Sequence, residues 1–388
     1  MKILHMCLAC FYIDNHSYQE NMLPKYHKKM GHEVTILASM LSFNSSGEPC
    51  YLNNESEYLN SDGIKVIRKD YRAPIKSINR VLRSYNETYK IIEQEKPQVI
   101  FVHGSQFVDI KCIIKYVKKY KDVKVFIDNH ADFSNSATNW ISKNILHKVI
   151  WKYFAKKMIP YTTKFYGVLP SRVDFLVNMY RLPKEKVELL VMGADDEKVD
   201  LSSRKVIRSE IREKYNINEN DFLIITGGKI DSAKWQTLLL MEAVKEMNKK
   251  EIKLIVFGSV TDDLKKDISQ YANENNVKYI GWIGSEDVYD YFAASDLAVF
   301  PGRHSVLWEQ AVGTGIPCIF KFWEGTTHVD VGGNCKFLYN DDKEEIKKKL
   351  NEIIDNKDIY NEMKKVSLER GISTFSYRDI AERSILIH

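Results

Sequence analysis

Residues 221–235, DFLIITGGKIDSAKW, decide how this chain of 388 residues is read. Residues 221–226 are a short apolar run with β-branched and aromatic side chains, the composition of a strand covered on both faces. The run gives way to Gly227, Gly228 and Lys229, then a turn, then Lys234 where a helical stretch begins. Strand, glycine turn and helix in that order make half of a βαβ unit, and in open parallel sheets ligands bind beyond the carboxyl ends of the strands. Paired glycines let backbone approach a ligand closely, and two lysines can face one diphosphate. The plain alternative is a glycine turn followed by two solvated lysines.

Outward from that unit the alternation continues in both directions. Toward the C-terminus, residues 253–258, 277–281, 297–300 and 317–320 read as strands. Toward the N-terminus the candidates are 2–7, 33–38, 65–68, 99–103, 123–128 and 165–169, with helical stretches at 18–30 and 78–95. Strands alternating with amphipathic stretches, twice over, predict an α/β fold of two doubly wound, Rossmann-like parallel-sheet domains. The acidic stretch 192–203, MGADDEKVDLSS, falls where one series stops and is assigned as linker, giving domains at 1–195 and 204–374. Residues 42–63, rich in Ser and Asn, break the alternation and read as an excursion or loop.

Composition narrows the partners. Apolar residues make up 44% of the chain and charged ones 28%, with nine prolines, which is globular rather than disordered. Residues 1–195 hold 29 Lys and Arg against 19 Asp and Glu, and residues 196–388 hold 28 against 33, so only the first half is basic. A basic half attracts anions, whether an anionic glycan, a lipid diphosphate or a membrane surface. No zinc-finger spacing, RNP pattern or concentrated basic arm is present, so nucleic acid is not expected as a partner. Cys7 and Cys10 form a single CxxC without the second pair that a zinc site needs, and the six cysteines are expected to be reduced. The opening MKILHMCLACFYIDN is interrupted by Asp14 and lacks a signal-peptide core, and no stretch approaches ~18 apolar residues. The expected location is cytoplasmic, with the inner face of a membrane as the place where the basic half would act. Residues 140–166, WISKNILHKVIWKYFAKKMIPYTTKFY, read either as an interfacial helix or as one packed on the sheet through Ile141, Ile145, Val149 and Phe154.

The second loop of interest is VFPGRHSVLWEQAVGTGIPCIF, residues 299–320. A Pro-Gly turn leads to Ser305 as a cap and to a helix with Glu309 in its first turns, and free amides at such an end attract anions. Glu309 can accept hydrogen bonds from a ribose diol; the alternative is a surface glutamate suited to the helix dipole.

Both loops resemble those of the family 4 retaining glycosyltransferases, whose architecture is GT-B, two Rossmann-like domains facing across a cleft. The resemblance covers nearly the whole chain. The family's glycine, basic residue and lysine five positions on correspond to Gly228, Lys229 and Lys234. Its pair of glutamates separated by seven residues is half present: Glu309 with AVGTGIP matches the second, whereas Pro301 stands where the first belongs. The loop PGRHSVLW is contracted, with backbone amides or His304 in the gap, so the donor contacts implied are His304, Ser305, Val306, Leu307 and Glu309. After the strand at 123–128, His130 matches a histidine that family members place beside the donor sugar, with Asn129 and Asp132 as polar neighbours. Trp282 and Ile283 in GWIGSEDV correspond to the base-binding turn, and Gly332, Gly333 and Asn334 to a loop beyond the donor sugar. Asp14, Asn15 and His16 lie in the region that meets acceptor. Residues 375–388 resemble the helix that crosses back to the first domain, anchored by Phe375, Tyr377 and Ile380.

The resemblance implies retaining transfer of a hexose or N-acetylhexosamine from a UDP-sugar to a glycan, glycolipid or protein-linked acceptor, in surface polysaccharide or glycoconjugate assembly. Lys229, Lys234 and His130 would be the catalytic groups. No paired carboxylates stand out as nucleophile and acid, and no Asp-x-Asp sits at a strand end, so no metal and no cofactor beyond the nucleotide sugar is expected. Two other readings remain on the same architecture: a UDP-sugar epimerase, and a degenerate nucleotide-sugar-binding subunit.

Overall fold

The computed structural model describes residues 1–43, 49–272 and 276–386, and the chain divides into two compact units. The first is Met1–Val191 with Ile380–His388, the second Met192–Asp379.

The first unit contains β1 (Lys2–Cys7), β2 (Glu33–Ser39), β3 (Leu41–Phe43), β4 (Pro49–Tyr51), β5 (Ser56–Leu59), β6 (Lys65–Lys69), β7 (Val99–His103), β8 (Lys124–Asn129), β9 (Lys164–Gly167) and β10 (Val187–Leu189). Its main sheet runs β10-β9-β8-β7-β1-β2-β6-β5, parallel throughout except for β5 against β6. Every residue of β7, and all but the first of β1, is buried, as a strand covered on both faces must be. The chain winds outward in both directions from the β1–β7 boundary, so the carboxyl ends of β1, β7 and β8 gather at a topological switch point.

The second unit contains β11 (Phe222–Gly227), β12 (Ile252–Phe257), β13 (Val277–Tyr279), β14 (Leu297–Phe300), β15 (Cys318–Lys321) and β16 (Cys335–Leu338). Its sheet, β13-β12-β11-β14-β15-β16, is wholly parallel, with its switch point between β11 and β14. The two loops singled out from the sequence follow those two strands.

Four expectations change. The single helix at 78–95 is two, Lys76–Leu82 and Thr88–Glu95. Arg83 and Glu87 between them take positive φ, and buried Asp109 accepts from Ser84 Oγ, Tyr85 N and Thr88 Oγ1 at 2.6–2.8 Å, which anchors the break. The excursion at 42–63 contains the β3–β4 hairpin and β5; residues 44–48 lie outside those described. The stretch 192–203 lies in the second unit and is tied down, with Ala194 N–H donating to the Phe375 carbonyl at 2.7 Å and Asp196 accepting from Ser376 Oγ and Arg378 N.

The fourth change concerns residues 140–166. A π-helix, Ser142–Trp151, precedes the α-helix Lys152–Met158, and the buried positions are His147, Trp151, Ala155 and Met158. Ile141, Ile145 and Val149, expected to pack on the sheet, are exposed instead, Val149 by 61%. Residues four apart share one face of a helix, and the line that His147 begins is turned inward, its ring bonded to Tyr180 OH at 2.7 Å and Ser136 Oγ at 2.9 Å. Of the expected packing residues, Phe154 alone lies against the core. At the C-terminus Phe375, Tyr377 and Ile380 are fully buried; residues 387–388 lie outside those described.

Candidate functional site

The two loops of the second unit meet at Gly228. Its φ is +113°, a conformation that favours glycine. A Cβ there would stand 3.2 Å from Leu307 Cδ1 and 3.5 Å from Lys234 Nζ. A Cβ on Gly302 would stand 3.1 Å from Lys234 Cα, so the Pro-Gly turn abuts the lysine from the other side. Burial, opposed by Asp231 and reinforced by the like charges of Arg303 and Lys229, holds the Lys234 ammonium below its ordinary pKa. Three cations within electrostatic reach of one another and of one carboxylate make a place where a polyanion gains energy. Lys229 is 67% exposed and 3.9 Å from Asp231 Oδ2.

The helix Leu307–Gly313 has Val306 at its N-cap with no side-chain bond, so Ser305 is not the side-chain cap expected; its carbonyl accepts from Trp308 N at 3.0 Å. Glu309 is neither at the surface nor free to turn: it is fully buried, and its Oε1 accepts from His304 Nε2 and His328 Nε2, each at 2.8 Å. Burial alone would raise the carboxyl pKa, but the two imidazoles bring it down to about 2. Oε2 has no partner. His304 thus occupies the contracted loop as a donor to Glu309, its ring edge-on to buried Trp308 at 5.0 Å. Trp282, following β13, is 75% exposed, so its ring is not a plug for the strand end; Ile283 beside it is half-buried.

In the first unit, His130 Nε2 lies 3.3 Å from Asp128 Oδ2 and 3.9 Å from Glu20 Oε1, without hydrogen-bond alignment to either. Burial lowers the His130 pKa, yet the charges of Asp128 and Glu20 prevail and raise it. Asp128 is fully buried; its Oδ2 accepts from His103 Nδ1 at 2.8 Å and its Oδ1 from Gly104 N at 3.1 Å. Asn129 and Asp132, expected as neighbours in a polar cluster, act locally: Asn129 bonds Gln106 and Ala131, and Asp132 bonds Ser134, Asn135 and Arg172. Asp14 accepts from Tyr58 OH at 2.7 Å and lies 3.5 Å from Arg68, Asn15 accepts from Ser61 Oγ, and His16 Nδ1 is 3.3 Å from the Asp14 carbonyl.

Asp128, His103, Glu20, Arg303 and His328 were not singled out in the sequence. Asp128 ends an expected strand, where its position was a usable signal; the others acquire meaning from partners far along the chain. His103, Asp128 and His130, and likewise His304, Glu309 and His328, bring their polar atoms within 4.8 Å of one another. Both nitrogens of His103 are already engaged, and separations of 2.8 Å are those of charge-assisted hydrogen bonds, so both groups read as hydrogen-bonded clusters.

Residues 207–370 match the family model described as Glycosyl transferases group 1. The mannosylfructose-phosphate synthase of Agrobacterium fabrum is 20% identical over 234 residues, 56% of this chain; the chain spans about half (51%) of the length of that curated relative. Among solved structures, a glycosyltransferase from Rickettsia africae superposes with a TM-score of 0.70 at 15% identity, covering 99% of this chain and 96% of that one. The UDP-GlcNAc 2-epimerase from Neisseria meningitidis, bound to UDP-GlcNAc, superposes with a TM-score of 0.63 at 14% identity over 100% of both chains. The chain therefore has the GT-B fold of two Rossmann-like domains, with residues 207–370 similar to the glycosyl transferases group 1 model.

Proposed function

We propose that the protein is a retaining, metal-independent glycosyltransferase that moves a hexose or N-acetylhexosamine from a UDP-sugar to a glycan, glycolipid or protein-linked acceptor in surface polysaccharide or glycoconjugate assembly. The observation that carries this reading is Lys234 Nζ, 3.5 Å from the place of a Cβ on Gly228 whose other neighbour is Leu307 of the helix Leu307–Gly313, with the charges of Lys229 and Arg303 acting on the same ammonium. When the bond from the sugar's anomeric carbon to the diphosphate oxygen breaks, negative charge builds on the diphosphate, and fixed cations there lower the barrier. The acceptor oxygen then bonds the same face of that carbon, and its proton passes to the departing diphosphate. The lysines supply the charge that a metal would otherwise bring, and His130, 3.3 Å from Asp128 Oδ2, is the side chain assigned to the sugar. Exposed Trp282, with Ile283, offers an apolar and aromatic face to the base. Glu309 acts through His304 and His328, shaping the turn over the donor rather than binding ribose with Oε1.

Asp14, Asn15 and His16 are assigned to the acceptor. A membrane-bound acceptor is supported by the line Ile141, Ile145, Val149 and Tyr153, all exposed, preceded by Trp140 at 69%. Residues 140–166 contain six lysines and no acid, the composition of a helix that rests on an anionic bilayer. On this reading the protein would act at the cytoplasmic face of a membrane.

Calorimetry with a panel of nucleotide sugars, followed by product analysis, tests the reading. UDP-sugar binding with transfer to an acceptor supports it. Epimerised sugar nucleotide from donor alone would favour the second reading, for which the fold match to an epimerase speaks. Tight binding without turnover on any acceptor would identify a binding subunit.

A further inference from the structure

Three histidines form a buried line through the first unit. His27 Nε2 faces two oxygens, the Ala381 carbonyl at 2.9 Å and Ser384 Oγ at 3.1 Å. The Ser384 hydroxyl donates to the same carbonyl at 2.8 Å, so it presents a lone pair to the imidazole. His27 Nδ1 is 3.0 Å from His5 Nε2, His5 Nδ1 is 3.0 Å from His103 Nε2, and His103 Nδ1 is 2.8 Å from Asp128 Oδ2. All three rings are fully buried, 0% exposed to solvent.

Counting hydrogens settles the protonation. The line has an acceptor at each end, the carbonyl and the carboxylate, and four contacts between them, each of which needs one N–H. Three neutral imidazoles supply only three. One extra proton is required, and Coulomb energy puts it on the ring beside the anion, His103. His27 and His5 are then neutral, each with its hydrogen on Nε2.

We propose that His27 and His5, anchored on the Ala381 carbonyl, hold His103 as an imidazolium and so keep Asp128 ionised, the carboxylate against which His130 is positioned. The pKa directions agree. Burial, with the charges of His27 and His103, depresses His5 far below its ordinary value. Burial, only partly opposed by the Ala381 carbonyl and assisted by His32 and His103, takes His27 down to about 4. At His103 burial is outweighed by Asp128, and the pKa rises to about 9. Other titratable groups facing the line are Cys7 and Glu20 toward His103, Glu20 and Arg172 toward His130, and His32 toward His27. His5, His27 and His103 are positioning residues, and the inference rests on the proposed role of His130 only for its effect on turnover.

Nitrogen-15 NMR of the full chain labelled at histidine, at pH 7.5, reads the line directly. The expected spectrum has one buried imidazolium, assigned to His103, and two neutral rings protonated at Nε2; a neutral His103 overturns the proposal. His27→Gln keeps a donor for the carbonyl and an acceptor for His5, so His103 should remain charged. His27→Leu keeps neither, and its His103 should titrate at lower pH, with kcat falling ~10-fold, the low end of a positioned acid–base group, and KM unchanged. A His103 titration unchanged in His27→Leu also overturns it. If the His103 signal moves but the pH profile of kcat does not, the line stands and the catalytic role of His130 falls.

Discussion

Gly258 and Gly228 are in contact: a Cβ on Gly258 would lie 1.9 Å from the Gly228 carbonyl oxygen. Gly258 also has φ +119°, so the turn after β12 supports the glycine turn after β11 through backbone alone. Gly258→Ala must displace the Gly228 turn, which lies beside Lys234. A stability loss of ~1–3 kcal/mol, the range for overpacking, should accompany at least ~10-fold weaker UDP binding, measured by calorimetry on folded protein. Unchanged affinity would separate the Gly228 turn from donor binding.

Lys234→Ala should lower kcat/KM at least ~100-fold, as the loss of one charge-stabilising group does, with the melting temperature little altered. Lys229→Ala, which removes a largely solvated ammonium, should cost less. Steady-state kinetics on both variants decides, and near-normal turnover in Lys234→Ala removes that lysine from the mechanism.

Glu309 gives a pH signature. Its folded pKa of about 2 lies below the ordinary 4.5, so its contribution to stability is present above pH 4.5 and is lost as pH falls toward 2. Glu309→Gln should cost roughly 3 kcal/mol at neutral pH, the scale of breaking a buried ion pair. Denaturant melts should show the gap between wild type and variant closing below pH 4.5. A gap that stays constant down to pH 2 would mean that the charge is not what Glu309 contributes.

For the membrane reading, wild-type protein should sediment with vesicles containing anionic lipid and not with neutral ones, and added salt should release it. Ile145→Glu with Val149→Glu should reduce bound protein at least ~10-fold while leaving UDP binding intact, since both side chains already face solvent. Equal binding by the double variant would dismiss this face.

Much of the fold was legible because buried parallel strands announce themselves as apolar runs, and the eleven expected ones differ from those observed by no more than a few residues at their ends. Five strands escaped: β5, β10 and β16 because edge strands are short and carry charges, leaving no period to read, and β3 and β4 because a hairpin of three-residue strands has none either. The loop residues Gly228, Lys229, Lys234, His304 and Glu309 were legible as residue types at strand ends. Their roles were less so: Glu309 reads as an exposed acid until its helix is seen to be buried. The line Ile141, Ile145, Val149 suits a core as well as a surface, and packing of His147, Trp151 and Ala155 within the first unit decided which side it took.

By itself the sequence determined the two α/β domains, the loops where anions would bind and the basic character of the first half, all of which follow from local composition and period. Only the tertiary structure decided which side chains share a proton. His5, His27, His103, Asp128 and Ala381 come together because β1, β7 and β8 are adjacent in the sheet and the C-terminal segment returns to the first unit. The protonation of each ring depends on the acceptor its neighbour faces, and those neighbours are 22, 98 and 354 residues apart along the chain.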